Sequence, residues 1–238
     1  MNPTTKNFIS FLERVLQATI LTQGELEHAL THSSYTNENP SLRSTNNERL
    51  EFLGDSVLGL IISEQLYQRY PDQREGKLSK YRSALVNEKS LAQCARNIQL
   101  GEYILLGKGE EATGGKDKPS ILSDTYEAVV AALYLENEFE IAKQFVLHSL
   151  GDLLNQVESQ LKKHDHKTRF QEWTQKNMKT IPEYIILSED GPDHDKVFHT
   201  MVKVRGIEFA QAKGNSKKES EQLCAKIALQ KARKGELP

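Results

Sequence analysis

The stretch Asn47-Glu48-Arg49-Leu50-Glu51-Phe52-Leu53-Gly54-Asp55-Ser56-Val57-Leu58 limits the possible folds more than any other part of the chain. Wound as a helix at about 100° per residue, it places Glu48, Glu51 and Asp55 within roughly 60° of one another on one side. Leu50, Leu53, Val57, Leu60 and Ile61 make the opposite stripe, an ordinary core face. Phe52, Gly59 and Ile62 fall on the acidic side as well, so this helix is apolar nearly all round and belongs inside a helical domain, packed on both sides. Its carboxylates are therefore expected to be partly buried. An unpaired buried carboxylate costs several kcal/mol, and close like charges add repulsion. A cation is expected beside them, the alternative being a solvated acidic face. Arg49 points about 100° away from Glu48 and no His stands nearby, so the donors are all oxygens, which suits a hard ion such as Mg²⁺ or Mn²⁺.

A second stretch repeats the arrangement. In Leu122-Ser123-Asp124-Thr125-Tyr126-Glu127-Ala128 the acids Asp124 and Glu127 stand one turn apart, with Ala128 and Ala131 on the same side. Small residues beside the acids, Gly59 on the first helix among them, would let the two helices approach closely. The acidic faces then meet across a narrow gap, and the carboxylates gather at one point as a metal site.

The run Asn47 to Leu58 resembles the signature stretch of the ribonuclease III family, and Ser120-Ile121-Leu122-Ser123-Asp124-Thr125-Tyr126-Glu127-Ala128 resembles its second acidic motif. The resemblance implies that Glu51, Asp55, Asp124 and Glu127 are the metal-binding and catalytic carboxylates, with Glu48 at the edge of a catalytic valley and Glu75 a further candidate near it. It implies a homodimer anchored by Phe52, which lies off the core stripe and whose alternative is internal packing. It also implies that double-stranded RNA is hydrolysed to 5′-phosphate and 3′-hydroxyl ends, by default in ribosomal precursors. Ser123 stands where the family more often has Ala, a departure that leaves both acids in place.

Length and composition agree with two modest domains: 238 residues, 37% hydrophobic and 27% charged. No run of apolar residues is long enough to span a membrane, and Met1 to Val15 reads as a helix, since Glu13 and Arg14 interrupt it and no cleavage site follows. Cys94 and Cys224 read as reduced core thiols of a cytoplasmic protein. The net charge of −2 conceals a split: 14 Lys+Arg against 11 Asp+Glu from His164 to Pro238, and 17 against 22 before it. The basic part is the candidate phosphate binder.

Along the chain, helical stripes at Phe8, Phe11, Leu12, Val15 and Leu16 and then at Leu26, Ala29 and Leu30 precede a polar connection at 37–46. Ala29 to Tyr35 resembles the family's opening motif, where His32 is expected to be structural, packed against or bonded to the signature helix. That helix should end before Pro71. Another is expected from Glu75 to about Asn97, where Lys77, Lys80 and Arg82 could touch phosphates or form a solvated face. Residues 107–118 invite a nucleotide-binding reading, but Glu110 stands where the first Gly is required and Asp117 where the Ser/Thr belongs, so no nucleotide cofactor is expected and the segment reads as a mobile loop near the RNA. Helices near 120–135 and 139–160 close the domain.

Beyond a polar linker at 161–166 the periodicity changes. A helix over 167–176 is followed by strand-like runs at 183–188, 197–205 and 207–213, with Gly206 in the last turn, and by a helix from Ser216 to about Lys234 that buries Leu223, Ala225, Ile227, Ala228 and Ala232. The expected organisation is thus multidomain: an all-α endonuclease domain over 1–160, then a small α+β domain of α-β-β-β-α order over 167–235. Lys167 to Gln175, Gly191-Pro192-Asp193-His194 and Gly214 to Glu221 resemble the double-stranded-RNA-binding domain. By resemblance Gln171 and Gln175 face one minor groove, His194 reaches the next, and Lys217 and Lys218 clamp phosphates between them, reading A-form shape with little sequence preference. Ser220 replaces the usual Ala on what should be a helix surface, and Trp173 reads as core.

Two rivals are weaker. A binding protein with a dead nuclease domain predicts gaps among the acids, and none is found. A di-iron bundle requires Glu-x-x-His pairs, which neither acidic stretch contains.

Overall fold

The computed structural model describes residues 1–39, 41, 46–192 and 196–236, and only the backbone of 160 and 162–164. It divides into two compact units, Met1–Val157 and Glu158–Pro238. In the first, α1 (Pro3–Leu16) starts where Pro3 supplies a preset φ and the Asn2 side chain accepts from the Thr5 amide at 2.8 Å. It buries Phe8 and Leu12. The short helices α2 (Glu25–Ala29) and α3 (Ser33–Glu38) lead to the long α4 (Glu48–Arg69), which stops at Tyr70 ahead of Pro71.

The helix expected over 75–97 is two helices, α5 (Glu75–Leu85) and α6 (Glu88–Asn97). Asn87 causes the break. Its amide donates to the carbonyls of Ser83 and Ala84 at the end of α5, and its oxygen accepts from the Ser90 amide at the start of α6. A single asparagine therefore satisfies groups of both helix ends. The segment expected as a mobile loop is folded as α7 (Lys108–Ala112) and a 3-10 turn, Gly115–Asp117, tied down by Lys118 on Glu110 at 2.5 Å. α8 (Pro119–Glu136) is the central helix, with buried residues on every side, and α9 (Phe139–His164) follows. The last turn of α9 runs through Leu161–His164, so most of the expected linker is helical.

The second unit holds α10 (His166–Met178), strands β1 (Glu183–Asp190), β2 (Val197–Val204) and β3 (Ile207–Gly214), and α11 (Lys217–Lys234). The strands form an antiparallel sheet in the order β1-β2-β3. Arg205 and Gly206 both have positive φ, as a two-residue turn matching strand twist requires. Phe170, Val202, Val204, Phe209, Cys224, Ala225 and Ala228 make the core, with Trp173 packed at its edge. Of the apolar face expected on α11, Ala225 and Ala228 are buried, while Leu223, Ile227 and Ala232 are only partly covered. Ser220 is not on a surface: it is fully buried, and its hydroxyl meets that of Thr200 at 2.6 Å. Burial holds the thiols of Cys94 and Cys224 up at about 12 and about 11, which keeps both protonated and inert.

Candidate functional site

The site lies where α4 crosses α8. Carboxylate oxygens of Glu51, Asp124 and Glu127 all lie within 4.8 Å of one another. Asp55, one turn further along α4, is exposed, and its charge acts on both Glu127 and Glu51. Burial, then repulsion from Asp55, Glu51 and Asp124, pushes Glu127 up to about 8. Glu51 is raised by burial and by Asp124, Glu48 and Asp55. Asp124 is raised chiefly by burial, against the pull of the Ser123 hydroxyl, which donates to it at 3.2 Å. The serine standing where the family has Ala thus bonds to one of the acids. Among the described residues no Lys or Arg forms an ion pair with any of the four. A cluster of half-buried oxygens with no protein cation fits a hard divalent ion.

The close approach has one cause. A Cβ on Gly54 would overlap the carbonyl oxygen of Glu127 and lie 2.5 Å from its carbonyl carbon, so only glycine permits this crossing. Gly59, expected in that role, has nothing within 4 Å of its Cβ position. The signal for Gly54 was faint, because at about 100° per residue it falls between Ile61 of the core stripe and Glu51, on the flank where the apolar and acidic faces join. Asn47, buried at the start of α4, donates to the Thr125 hydroxyl at 3.4 Å and to the Thr31 carbonyl through its backbone. Thr31, the neighbour of His32, thus ties this segment to the signature helix. The Nδ1 of His32 itself accepts from the Ser34 amide and caps α3, a structural role. Glu88, at the first turn of α6, adds repulsion on Asp124. It escaped the sequence reading because it lies far from both acidic motifs.

In the second unit Gln171 and Gln175 are exposed one turn apart on α10. Lys217 and Lys218 are exposed in the first turn of α11, whose N-terminus is capped by Ser216 on the Glu219 amide. His194 lies outside the described residues.

Residues 23–153 match the family model described as Ribonuclease-III-like, and residues 166–232 match the double-stranded RNA binding motif. A Heliobacterium modesticaldum protein named Ribonuclease 3 is 49% identical over 212 residues, 88% of this chain and 90% of its own. The chain belongs to the ribonuclease III family. Another Ribonuclease 3, from Campylobacter jejuni, is 44% identical over 94% of this chain and 97% of its own. The crystal structure of the nuclease domain of that organism's ribonuclease III superposes with a TM-score of 0.54 at 47% identity, covering 61% of this chain and 95% of that domain. A second structure of the same domain, TM-score 0.55 at 47% identity over 60% of this chain and 96% of its own, is described as flexible in a region involved in dimer formation.

As a ribonuclease III family endoribonuclease acting on double-stranded RNA, the chain carries its other candidate residues at the surface. Glu48 is exposed at the start of α4. Glu75 is exposed at the start of α5 and accepts from the Ser79 hydroxyl at 2.7 Å. Phe52 is 81% exposed. Leu60, expected in the core stripe, is 60% exposed, and Tyr67 on the same side is 75% exposed. Leu60 lies about 180° from Glu51, at the margin of the core stripe, and none of the described residues of its own unit covers it. No helix is long and apolar enough to cross a membrane among the described residues.

Proposed function

We propose that this chain is a Mg²⁺-dependent endoribonuclease that works as a homodimer in the cytoplasm and cuts structured RNA, ribosomal precursors among them, leaving 5′-phosphate and 3′-hydroxyl ends. Mn²⁺ could substitute. The nuclease domain is assigned to residues 1–160 and the RNA-binding domain to 167–235. The observation that carries this reading is the cluster of Glu51, Asp124 and Glu127 with Asp55 beside it, acidic and without a protein cation among the described residues.

Those four residues would hold the ion. When bound, Mg²⁺ supplies Lewis acidity toward the attacking water and the scissile phosphate. The carboxylates supply the rest. Without a cation, Glu127 keeps a proton at neutral pH and the cluster repels an RNA backbone; neutralising it makes room for a phosphate. Hydrolysis forms a bond from water oxygen to phosphorus and breaks the bond to the 3′-oxygen, so the 5′-phosphate stays with the downstream fragment. Glu48 and Glu75, both exposed and outside the cluster, are assigned to the valley's rim. The test is a plain RNA duplex incubated with Mg²⁺ and with EDTA. Cleavage in Mg²⁺ alone, with ligatable 5′-phosphate ends, is expected; equal cleavage in EDTA would end the reading.

The dimer is supported by the stripe of Phe52, Leu60 and Tyr67, apolar side chains left in water by this chain. Gly59, with open space at its Cβ position, lies beside that stripe and would let a partner's backbone approach. Phe52→Ala should weaken the dimer by at least about 30-fold, the scale of a central aromatic anchor. Sedimentation at low micromolar concentration reads this out, and an unchanged dimer mass would remove Phe52 as the anchor.

For the second domain, Gln171, Gln175, His194, Lys217 and Lys218 are assigned to the duplex. Lysines at a helix N-terminus add to its positive end. Lys217→Ala combined with Lys218→Ala should reduce the slope of log affinity against log salt by about 2, one for each phosphate contact. A slope equal to wild type would take both lysines out of the interface.

A further inference from the structure

The two lysines at the start of α11 are not equivalent. Lys217 is already engaged: its Nζ lies 2.7 Å from an oxygen of Glu189 and 5.5 Å from the centre of the Phe198 ring. Lys218 has no such partner among the described residues. The sheet register explains the difference. Glu189 on β1 pairs with Phe198 on β2, and Phe198 pairs with Gly214 on β3, so the three form one row across the sheet. At the end of that row Gly214 lies so close to α11 that a Cβ there would stand 2.6 Å from the Ser220 amide nitrogen. The row therefore runs toward the first turn of the helix and sets an acid beside its first lysine. Both partners are accessible, Lys217 at 57% and Glu189 at 38%.

We propose that Glu189 stands in for an RNA phosphate, holding Lys217 in the RNA-free chain and lowering the affinity of the domain for duplex. The inference rests on the assignment of Lys217 to the duplex interface. A carboxylate is the protein group most like a phosphate oxygen in its charge and hydrogen-bonding capacity. An arriving phosphate must take the ammonium from it, so part of the gain from the new contact is offset by the loss of the old one. Phe198 keeps the lysine nearby throughout, because cation and ring attract whichever anion is present. Glu189 thus tunes binding without touching a base, in a domain whose recognition is of shape and charge.

The test uses the full chain in EDTA, where the duplex is not cut, with fluorescence anisotropy on a duplex of about 20 base pairs. Four proteins are compared: wild type, Glu189→Gln, Lys217→Ala and the double variant. Exposed ion pairs of this kind correspond to roughly two- to five-fold in an equilibrium constant. Glu189→Gln is expected to bind about three-fold tighter than wild type, Lys217→Ala to bind more weakly, and the double variant to match Lys217→Ala. Glu189→Ala should give the same gain as Glu189→Gln, which keeps the result independent of any new bond made by the amide. If Lys217→Ala weakens binding but Glu189→Gln changes nothing, the proposal is overturned. It is overturned equally if Glu189→Gln gains as much without Lys217 as with it, because the effect is then general repulsion. Lys217→Ala binding like wild type would instead remove Lys217 from the interface and the inference with it.

Discussion

Glu127→Gln should lower Mg²⁺-dependent cleavage of an RNA duplex by at least about a hundredfold while leaving duplex binding measurable. Groups that merely orient metal ligands contribute about 10- to 100-fold, so a direct ligand should exceed that range. The same substitution should make the metal-free protein more stable at pH 8. Glu127 moves from an ordinary value near 4.5 to about 8 on folding. Between those values the native state holds a proton that the unfolded chain has released, so stability falls as pH rises through that window. Below it both states are protonated and the effect vanishes. Gln has no proton to lose. In EDTA the melting temperature of the wild type should decline from pH 5 to pH 8 more steeply than that of Glu127→Gln, with the two curves closest at the acid end. Mg²⁺ binding should strengthen with pH over the same interval, because the ion displaces that proton. Parallel melting curves would show that Glu127 is not the group held up by its neighbours, and substantial residual turnover would remove it from the ligands.

The acids of the candidate site could be singled out because helical spacing alone puts Glu48, Glu51 and Asp55 on one face of α4, and Asp124 and Glu127 on one face of α8. Which of them converge was not legible. Spacing along a helix fixes direction about its axis but not where a second helix crosses. Gly54 and Gly59 show the limit, since Gly59 lies nearer the acids in projection, yet of the two only Gly54 sits at the crossing. Leu60 was misplaced for a related reason: a core stripe is bounded by what covers it, and here the cover ends short of that residue. Asn87 divides a continuous periodic pattern because its side chain competes with the helix for backbone groups, a local effect that hydrophobic spacing does not report. Residues 107–118 look like a loop by composition, yet Gly107 and Gly115 are there to allow close packing, each with backbone or side-chain atoms under 3.0 Å from its Cβ position. The second unit was the more readable one, its α-β-β-β-α order being set by Pro182, Gly206 and a clean change of period. The pairing of Lys217 with Glu189 was invisible, because it depends on strand register.

Gly54→Ala should damage both the fold and the site, and the size of the effect can be argued from two opposing contributions. In a helix interior Ala is favoured over Gly by about 1 kcal/mol. Against that stands a Cβ overlapping the Glu127 carbonyl oxygen, with the carbonyl carbon 2.5 Å away. Both contacts are to backbone of the most buried helix in the domain, which cannot turn aside as a side chain tip would. Overpacking of a well-packed interior costs roughly 1–3 kcal/mol even where side chains can adjust, so the clash outweighs the helix preference and a net loss of about 2 kcal/mol is expected. Relief requires α4 and α8 to separate, which draws Glu51 away from Asp124 and Glu127. Activity should then fall further than stability accounts for, and Mg²⁺ should raise the melting temperature less than it does in the wild type. Gly151→Ala is the control, since that glycine lies in α9 with nothing within 4 Å of its Cβ position, and it should gain about 0.5–1 kcal/mol. Chemical denaturation of the three proteins with and without Mg²⁺ decides the matter. If Gly54→Ala is as stable as Gly151→Ala and equally responsive to Mg²⁺, the two helices do not cross at Gly54, and the acids are not brought together by that contact.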